Sequence, residues 1–144
     1  MGLNWEEIKK TLYFVDGSLR DIYINNISVN QWKKWITYIN KNYRLNWNNE
    51  DKINFRIIKK NWSENIVPET AKIFIGNIQI NCHFFCDFEN DIDPKEIQNI
   101  NDHNCIINYM KNISVELDTV IYLSGENIRD NYFLKIYKDE IYGI

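Results

Sequence analysis

Residues 78–97 read IQINCHFFCDFENDIDPKEI. Up to Phe88 the stretch alternates. Ile78, Ile80, Cys82, Phe84, Cys86 and Phe88 share one parity, and Gln79, Asn81, His83, Phe85, Asp87 and Glu89 share the other. Side chains of a β-strand repeat with period two. One apolar face against one mostly polar face therefore predicts a strand from Ile78 to about Phe88, lying on a core. The stretch then ends in Asp93-Pro94-Lys95-Glu96. Asp caps a helix start, Pro suits its first position, and Glu three residues on completes a capping box.

This geometry bounds the chemistry. On a strand, Cys82 and Cys86 stand roughly 13 Å apart and His83 points to the opposite face, so the three do not converge on one zinc ion. Counting from Asp87, the sixth residue of an EF-hand loop would be Ile92, where a glycine is required. Glu89, Asp91, Asp93 and Glu96 are too close in sequence to face one another across a cleft as a hydrolytic acid–base pair. There is no G-x-S-x-G, C-x-x-C or glycine-rich phosphate loop. Cys105 and His103 are two apart on a predicted helix and do not meet. The reading assigns no catalytic residue, no metal and no cofactor. It leaves an acidic face: if the strand runs on, His83, Asp87, Glu89 and Asp91 project together. That face is either solvated or a docking surface for a basic protein partner, whose approach it would steer.

Outward from this strand, the clearest helix is SVNQWKKWITYINKN, 28–42. Ser28 and Gln31 form a capping box, and Val29, Trp32, Ile36 and Ile39 repeat at helical spacing beside Trp35. A second helix is predicted over 101–113, capped by Asp102, with Ile106, Tyr109, Met110 and Ile113 inward. Residues 4–10 read as a short helical turn or arm. Strands are predicted at 43–47, 52–62 and 119–124, and one or two more in the C-terminal NYFLKIYKDEIYGI. A hairpin around Asp16-Gly17 is predicted within 11–24, and another around Gly76-Asn77. VPETAKIF, 67–74, reads as the start of a short helix. The expectation is one α+β domain spanning 1–144, an antiparallel or mixed sheet with two main helices packed on one side.

The chain of 144 residues is long enough to bury a core without disulfides. Three cysteines and no apolar leader point to a cytoplasmic, reducing setting, and no run approaches the ~18 apolar residues of a membrane span. The net charge of −3 argues against a nucleic-acid binder. Aromatics make up 15% of residues, enough that some must reach the surface, where they favour partner interfaces. Asn is abundant but scattered, without forming a tract.

Four short signatures carry a resemblance: DGSLRDIYI (16–24), INCHFF (80–85), DIDPKEI (91–97) and GEN (125–127). Together, across roughly residues 12–128, they resemble a family of small bacterial immunity proteins encoded beside polymorphic or contact-dependent toxins. The matching positions are Gly17 to Tyr23, Cys82 to Phe85, Asp91 to Ile97, and Glu126-Asn127. The resemblance implies a single α+β domain without catalysis, a cytoplasmic protein that binds and blocks a cognate toxin domain. The competing readings are a small carboxylate-based, metal-dependent enzyme and a structural, self-associating domain.

Overall fold

The computed structural model describes residues 4–85 and 87–143, with the backbone alone for Arg129. Among these are four α-helices, α1 (Trp5–Leu12), α2 (Val29–Asn42), α3 (Phe55–Ser63) and α4 (Ile100–Leu117), and eight strands. The strands are β1 (Arg20–Ile24), β2 (Arg44–Trp47), β3 (Ala71–Ile75), β4 (Ile78–Phe84), β5 (Phe88–Ile92), β6 (Ile121–Gly125), β7 (Leu134–Tyr137) and β8 (Glu140–Gly143). They form one open antiparallel sheet in the order β2-β3-β4-β5-β1-β6-β7-β8. The class is α+β, as the sequence predicts.

Register explains the layering. Trp47, Ala71, Cys82, Asn90, Ile22, Leu123, Leu134 and Gly143 form one row across all eight strands. Its apolar members from Trp47 to Leu134 join a single buried cluster with Ile8 and Leu12 of α1, Trp32, Trp35, Ile36 and Ile39 of α2, Ile58 of α3, and Ile106, Met110 and Ile113 of α4. All four helices thus pack on one face. At their centre Trp32 touches the rings of Trp35, Trp62, Phe84 and Phe88. A short polar chain runs through this core: Trp35 Nε1 donates to the Tyr109 hydroxyl (3.3 Å), which donates to Asn90 Oδ1 (2.5 Å).

The α2 capping box forms in both directions, Gln31 N to Ser28 Oγ and Ser28 N to Gln31 Oε1. Val29, expected on the apolar stripe, is exposed. The Gly76-Asn77 hairpin joins β3 to β4 with Ile75 opposite Ile78. The strand expected over 119–124 stands at Ile121–Gly125, and the C-terminal segment forms two strands.

Other expectations are corrected. The single strand from Ile78 to Phe88 is a hairpin, with Phe84 opposite Phe88. Cys86 lies outside the described residues. Residues 52–62 are helical from Phe55, because Phe55, Ile58 and Trp62 repeat at helical spacing and the Asn54 side chain caps Arg56 N and Ile57 N. The first half of 11–24 is not a strand: α1 runs to Leu12, and Asp16-Gly17 turns a loop, not a hairpin. VPETAKIF opens no helix and leads into β3. Asn99, not Asp102, caps α4, while Asp102 reaches back to accept from Gln98 N. Asp93 caps the 3₁₀ turn Pro94–Glu96 as predicted, but Glu96 accepts from Gln79 N of β4 in place of closing a capping box. The scattered asparagines have a physical role. Asn26, Asn48, Asn49, Asn65 and Asn127 all sit at positive φ, which Asn tolerates better than most residues.

The loop ahead of β1 is organised by one side chain. Arg20 is buried on the helix face. Its Nε donates to Leu12 O and its Nη2 to Phe14 O, both at 2.6 Å, and Nη1 donates to Leu19 O and Ser18 Oγ at 3.0 Å. The Phe14 ring lies 4.4 Å from the guanidinium carbon. One planar donor set thus closes the end of α1 onto the start of β1.

Candidate functional site

The residues of opposite parity face away from the helices. Two rows cross this outer face. One is His83, Glu89, Tyr23, Tyr122, Lys135 and Tyr142. The other is Asn46, Lys72, Asn81, Asp91, Asp21 and Ser124. The β4–β5 hairpin brings His83, Glu89 and Asp91 together, as a continuous strand would not have done at this range. Asp87 stands exposed between the two strands.

Asp91 is the hub. Its Oδ2 meets His83 Nε2 at 2.5 Å and its Oδ1 accepts from Asn81 Nδ2 at 2.8 Å. Asn81 Oδ1 in turn accepts from Gln79 Nε2 at 2.7 Å. The far side of the ring, His83 Nδ1, lies 3.2 Å from Thr70 Oγ1, and Phe85 stacks on the imidazole at 5.6 Å. Phe85 is 46% exposed, a large apolar group at the rim of a polar network. Further along the same face Tyr23 stacks on Tyr122 at 5.0 Å and Tyr132 leans on Tyr122 at 5.1 Å.

Asp21 lies opposite Asp91 and is almost fully buried. Its Oδ2 accepts from Asn127 N, and Glu126 Oε1 accepts from Leu19 N. Burial pushes the Asp21 carboxyl above its ordinary range; the Asn127 amide opposes this, and the charges of Glu89, Asp91 and Glu126 add to it. DGSLRD and GEN, far apart in the chain, are therefore bonded to each other, with DIDPKEI entering beside them through Asp91. Parity could not have found Asp21 or Glu126. The short signatures contained both, without saying that they meet.

Chemically the cluster is an imidazole held between a carboxylate and a hydroxyl. As an imidazolium, His83 donates from both nitrogens, to Asp91 and to Thr70, and holds no lone pair with which to activate that hydroxyl. The hydrogen bond to Asp91 raises the His83 pKa first; desolvation opposes it, and the charges of Asp91, Glu89 and Asp21 add to the rise. Cys82 lies on the helix face, where burial raises its thiol pKa, so it and His83 cannot bind one ion.

The two histidines pull stability in opposite directions. A raised folded pKa means that the His83 contribution is full below the unfolded value of about 6.5 and fades as pH climbs through the folded pKa. His103, whose Nδ1 meets the Tyr13 hydroxyl at 2.7 Å, has its pKa lowered by burial. Its contribution is full above about 6.5 and is lost as pH falls through its folded pKa. We expect His83→Gln to lose stability as pH drops from 7 to 5, and His103→Gln to gain it, each by at most about 1.4 kcal/mol per pH unit. Urea titrations at several pH values, read against the wild type so that carboxylate effects cancel, check this. Parallel slopes for the two variants would disprove it.

Comparison with protein-family models, with curated proteins and with solved structures finds no match for this chain. Among the described residues no helix is long and apolar enough to cross a membrane.

Proposed function

We propose that the chain is a protein-binding module of the immunity type, and that it neutralises a cognate toxin domain by holding it on the outer face of the sheet, around His83, Phe85, Asp87 and Glu89. The observation that carries this reading is the β4–β5 end of the face turned away from the four α-helices, where Phe85 and Asp87 are exposed while Asp21, Tyr23 and Ser124 farther along the same face are buried. There an exposed aromatic ring sits on a polar network whose acids are already coordinated. Asp91 commits both oxygens to Asn81 and His83, and Asp21 bonds Asn127. Carboxylates spent in this way suit a fixed electrostatic surface better than proton transfer to a substrate, which needs a group free to change partners. Aromatic anchors ringed by polar groups are the usual anatomy of a recognition surface. The acidic rim favours a basic partner and a fast, salt-sensitive approach.

Isothermal calorimetry with the toxin domain encoded beside the gene tests both parts of the reading. Tight one-to-one binding is expected, with Phe85→Ala weakening it at least tenfold and Asp87→Lys slowing association at low salt. Absence of any heat of binding would remove the function. Binding that ignores both variants would move the site elsewhere.

A further inference from the structure

The mild net charge hides a strong segregation. Residues 29–63 hold Lys33, Lys34, Lys41, Arg44, Lys52, Arg56, Lys59 and Lys60 against only Glu50 and Asp51. The chain as a whole has 17 basic and 20 acidic residues, so the remainder is markedly acidic. Arg44 lies over Phe74 on the outer sheet face. The other seven cations belong to α2, α3 and the segment between them. Lys33, Thr37, Asn40, Lys52, Arg56 and Lys59 line a groove of 620 Å³ between the two helices. Across the α2 ridge, Lys33, Lys34, Tyr38 and Lys41 line a second groove of 540 Å³ together with Glu116, and Asp118 lies near enough to feel the charge of Lys34.

Among the described residues, none of these seven cations has a carboxylate within ion-pair distance. Lys52 Nζ donates to a backbone oxygen, Asn40 O, and Lys59 lies 6.0 Å from the Phe55 ring. The arrangement costs stability. Arg56 and Lys60 are like charges at i,i+4. Arg56 also sits in the first turn of α3, where the helix dipole disfavours a cation, and neither α2 nor α3 has an acid in its first turn. A face kept only for solvation would gain by mixing signs. An external anion would offset all of these terms at once.

The chemistry of the face chooses the anion. Six of the seven cations are lysines, and lysine is depleted in protein–protein interfaces. Lysine ammoniums are compact point charges, suited to phosphates without a fixed orientation. We propose that the α2–α3 face binds the phosphate backbone of a nucleic-acid strand, without reading its bases. This surface is separate from the outer sheet face, so the proposal stands independently of toxin binding.

Fluorescence anisotropy with a labelled 20-nucleotide single-stranded RNA, and with a 20-base-pair DNA duplex, tests it. Binding at 50 mM salt is expected, with an affinity that falls linearly in a log–log plot against salt. The slope should be about −3 to −5, as for four to six phosphates neutralised. Lys33→Glu/Arg56→Glu/Lys59→Glu, at three exposed positions, should weaken binding more than tenfold while circular dichroism shows the fold intact. Lys95→Glu, on the 3₁₀ turn, should leave binding unchanged. The proposal is overturned by no binding at 50 mM salt, by equal loss in the triple variant and in Lys95→Glu, or by polyglutamate of matched charge competing as well as the oligonucleotides. The last result would assign the face to an acidic protein. Toxin binding by the triple variant, measured in parallel, separates the two surfaces.

Discussion

Arg20→Met is expected to lower the stability of the folded protein by about 2–4 kcal/mol, the cost of leaving one or two buried carbonyls without a donor. The guanidinium is 1% exposed and donates to Leu12 O, Phe14 O, Leu19 O and Ser18 Oγ. Methionine fills much of the volume but supplies no donor. The carbonyls at the end of α1 then lose their partner inside the protein, at about 1–3 kcal/mol for each group that stays dry. Water entering to satisfy them would loosen the 13–19 loop and, with it, the Leu19 amide that Glu126 holds. Arg20→Lys should recover little. A single ammonium cannot reach Leu12 O and Phe14 O from one point with the geometry of the planar fork. For a chain of this size such a loss lowers the melting temperature by roughly 10 °C. Urea denaturation of the wild type and both variants decides the matter. A loss below about 1 kcal/mol for Arg20→Met would show that the loop holds itself.

Trp32→Ala should cost a similar amount, about 3–5 kcal/mol, by opening a cavity among four other rings. Phe88 lies 5.2 Å away, Phe84 5.6 Å, Trp62 5.7 Å and Trp35 5.9 Å. The informative variant is Trp32→Phe. The indoles of Trp35, Trp47 and Trp62 each donate a hydrogen bond, to Tyr109 Oη, Glu69 O and Phe84 O. Among the described residues, buried Trp32 Nε1 meets no acceptor. Phenylalanine removes that unmatched donor, so its gain offsets part of the lost packing. Trp35→Phe removes a donor that is in use. Trp32→Phe is therefore expected to be milder than Trp35→Phe, although both delete the same atoms. Chemical denaturation of the pair tests this, and the reverse order would refute it.

The parts of the fold that the sequence makes legible are those whose signal is local. Ser28 and Gln31 cap α2 within one turn, and Gly76-Asn77 makes the β3–β4 turn by itself. The β4–β5 hairpin was hidden by arithmetic. Phe84 pairs with Phe88 and Cys82 with Asn90, so paired residues have equal parity and the alternation passes through the reversal unbroken. Period two then reads as one long strand. In 52–62 two patterns overlap. Ile53, Phe55 and Ile57 alternate, but Phe55, Ile58 and Trp62 form the stripe that packs, and Ile57 is left exposed. Short apolar runs support either period until packing chooses. Asp16-Gly17 misled because the loop around it is fixed by Arg20, which no turn rule anticipates. Of the acidic face, parity puts His83, Glu89 and Asp91 on one side of the sheet, but their proximity comes from the β4–β5 reversal. Asp21 and Thr70 come from distant segments that only the finished sheet brings near.

The strand order also carries a schedule. β2 to β5 follow one another across the sheet, and so do β6 to β8, yet β1 is wedged between the two runs, with Ile22 opposite Asn90 on one side and Leu123 on the other. The earliest of these eight strands thus waits for both of its neighbours, β5 and β6, which are made long after it. Until then Ile22, Tyr23 and Ile24 belong to a strand with two open edges. Long-range closure of this kind slows folding and prolongs the exposure of sticky intermediates. A chain built in this way has a stitch at its centre, and its two half-sheets stay separate until the stitch is drawn tight.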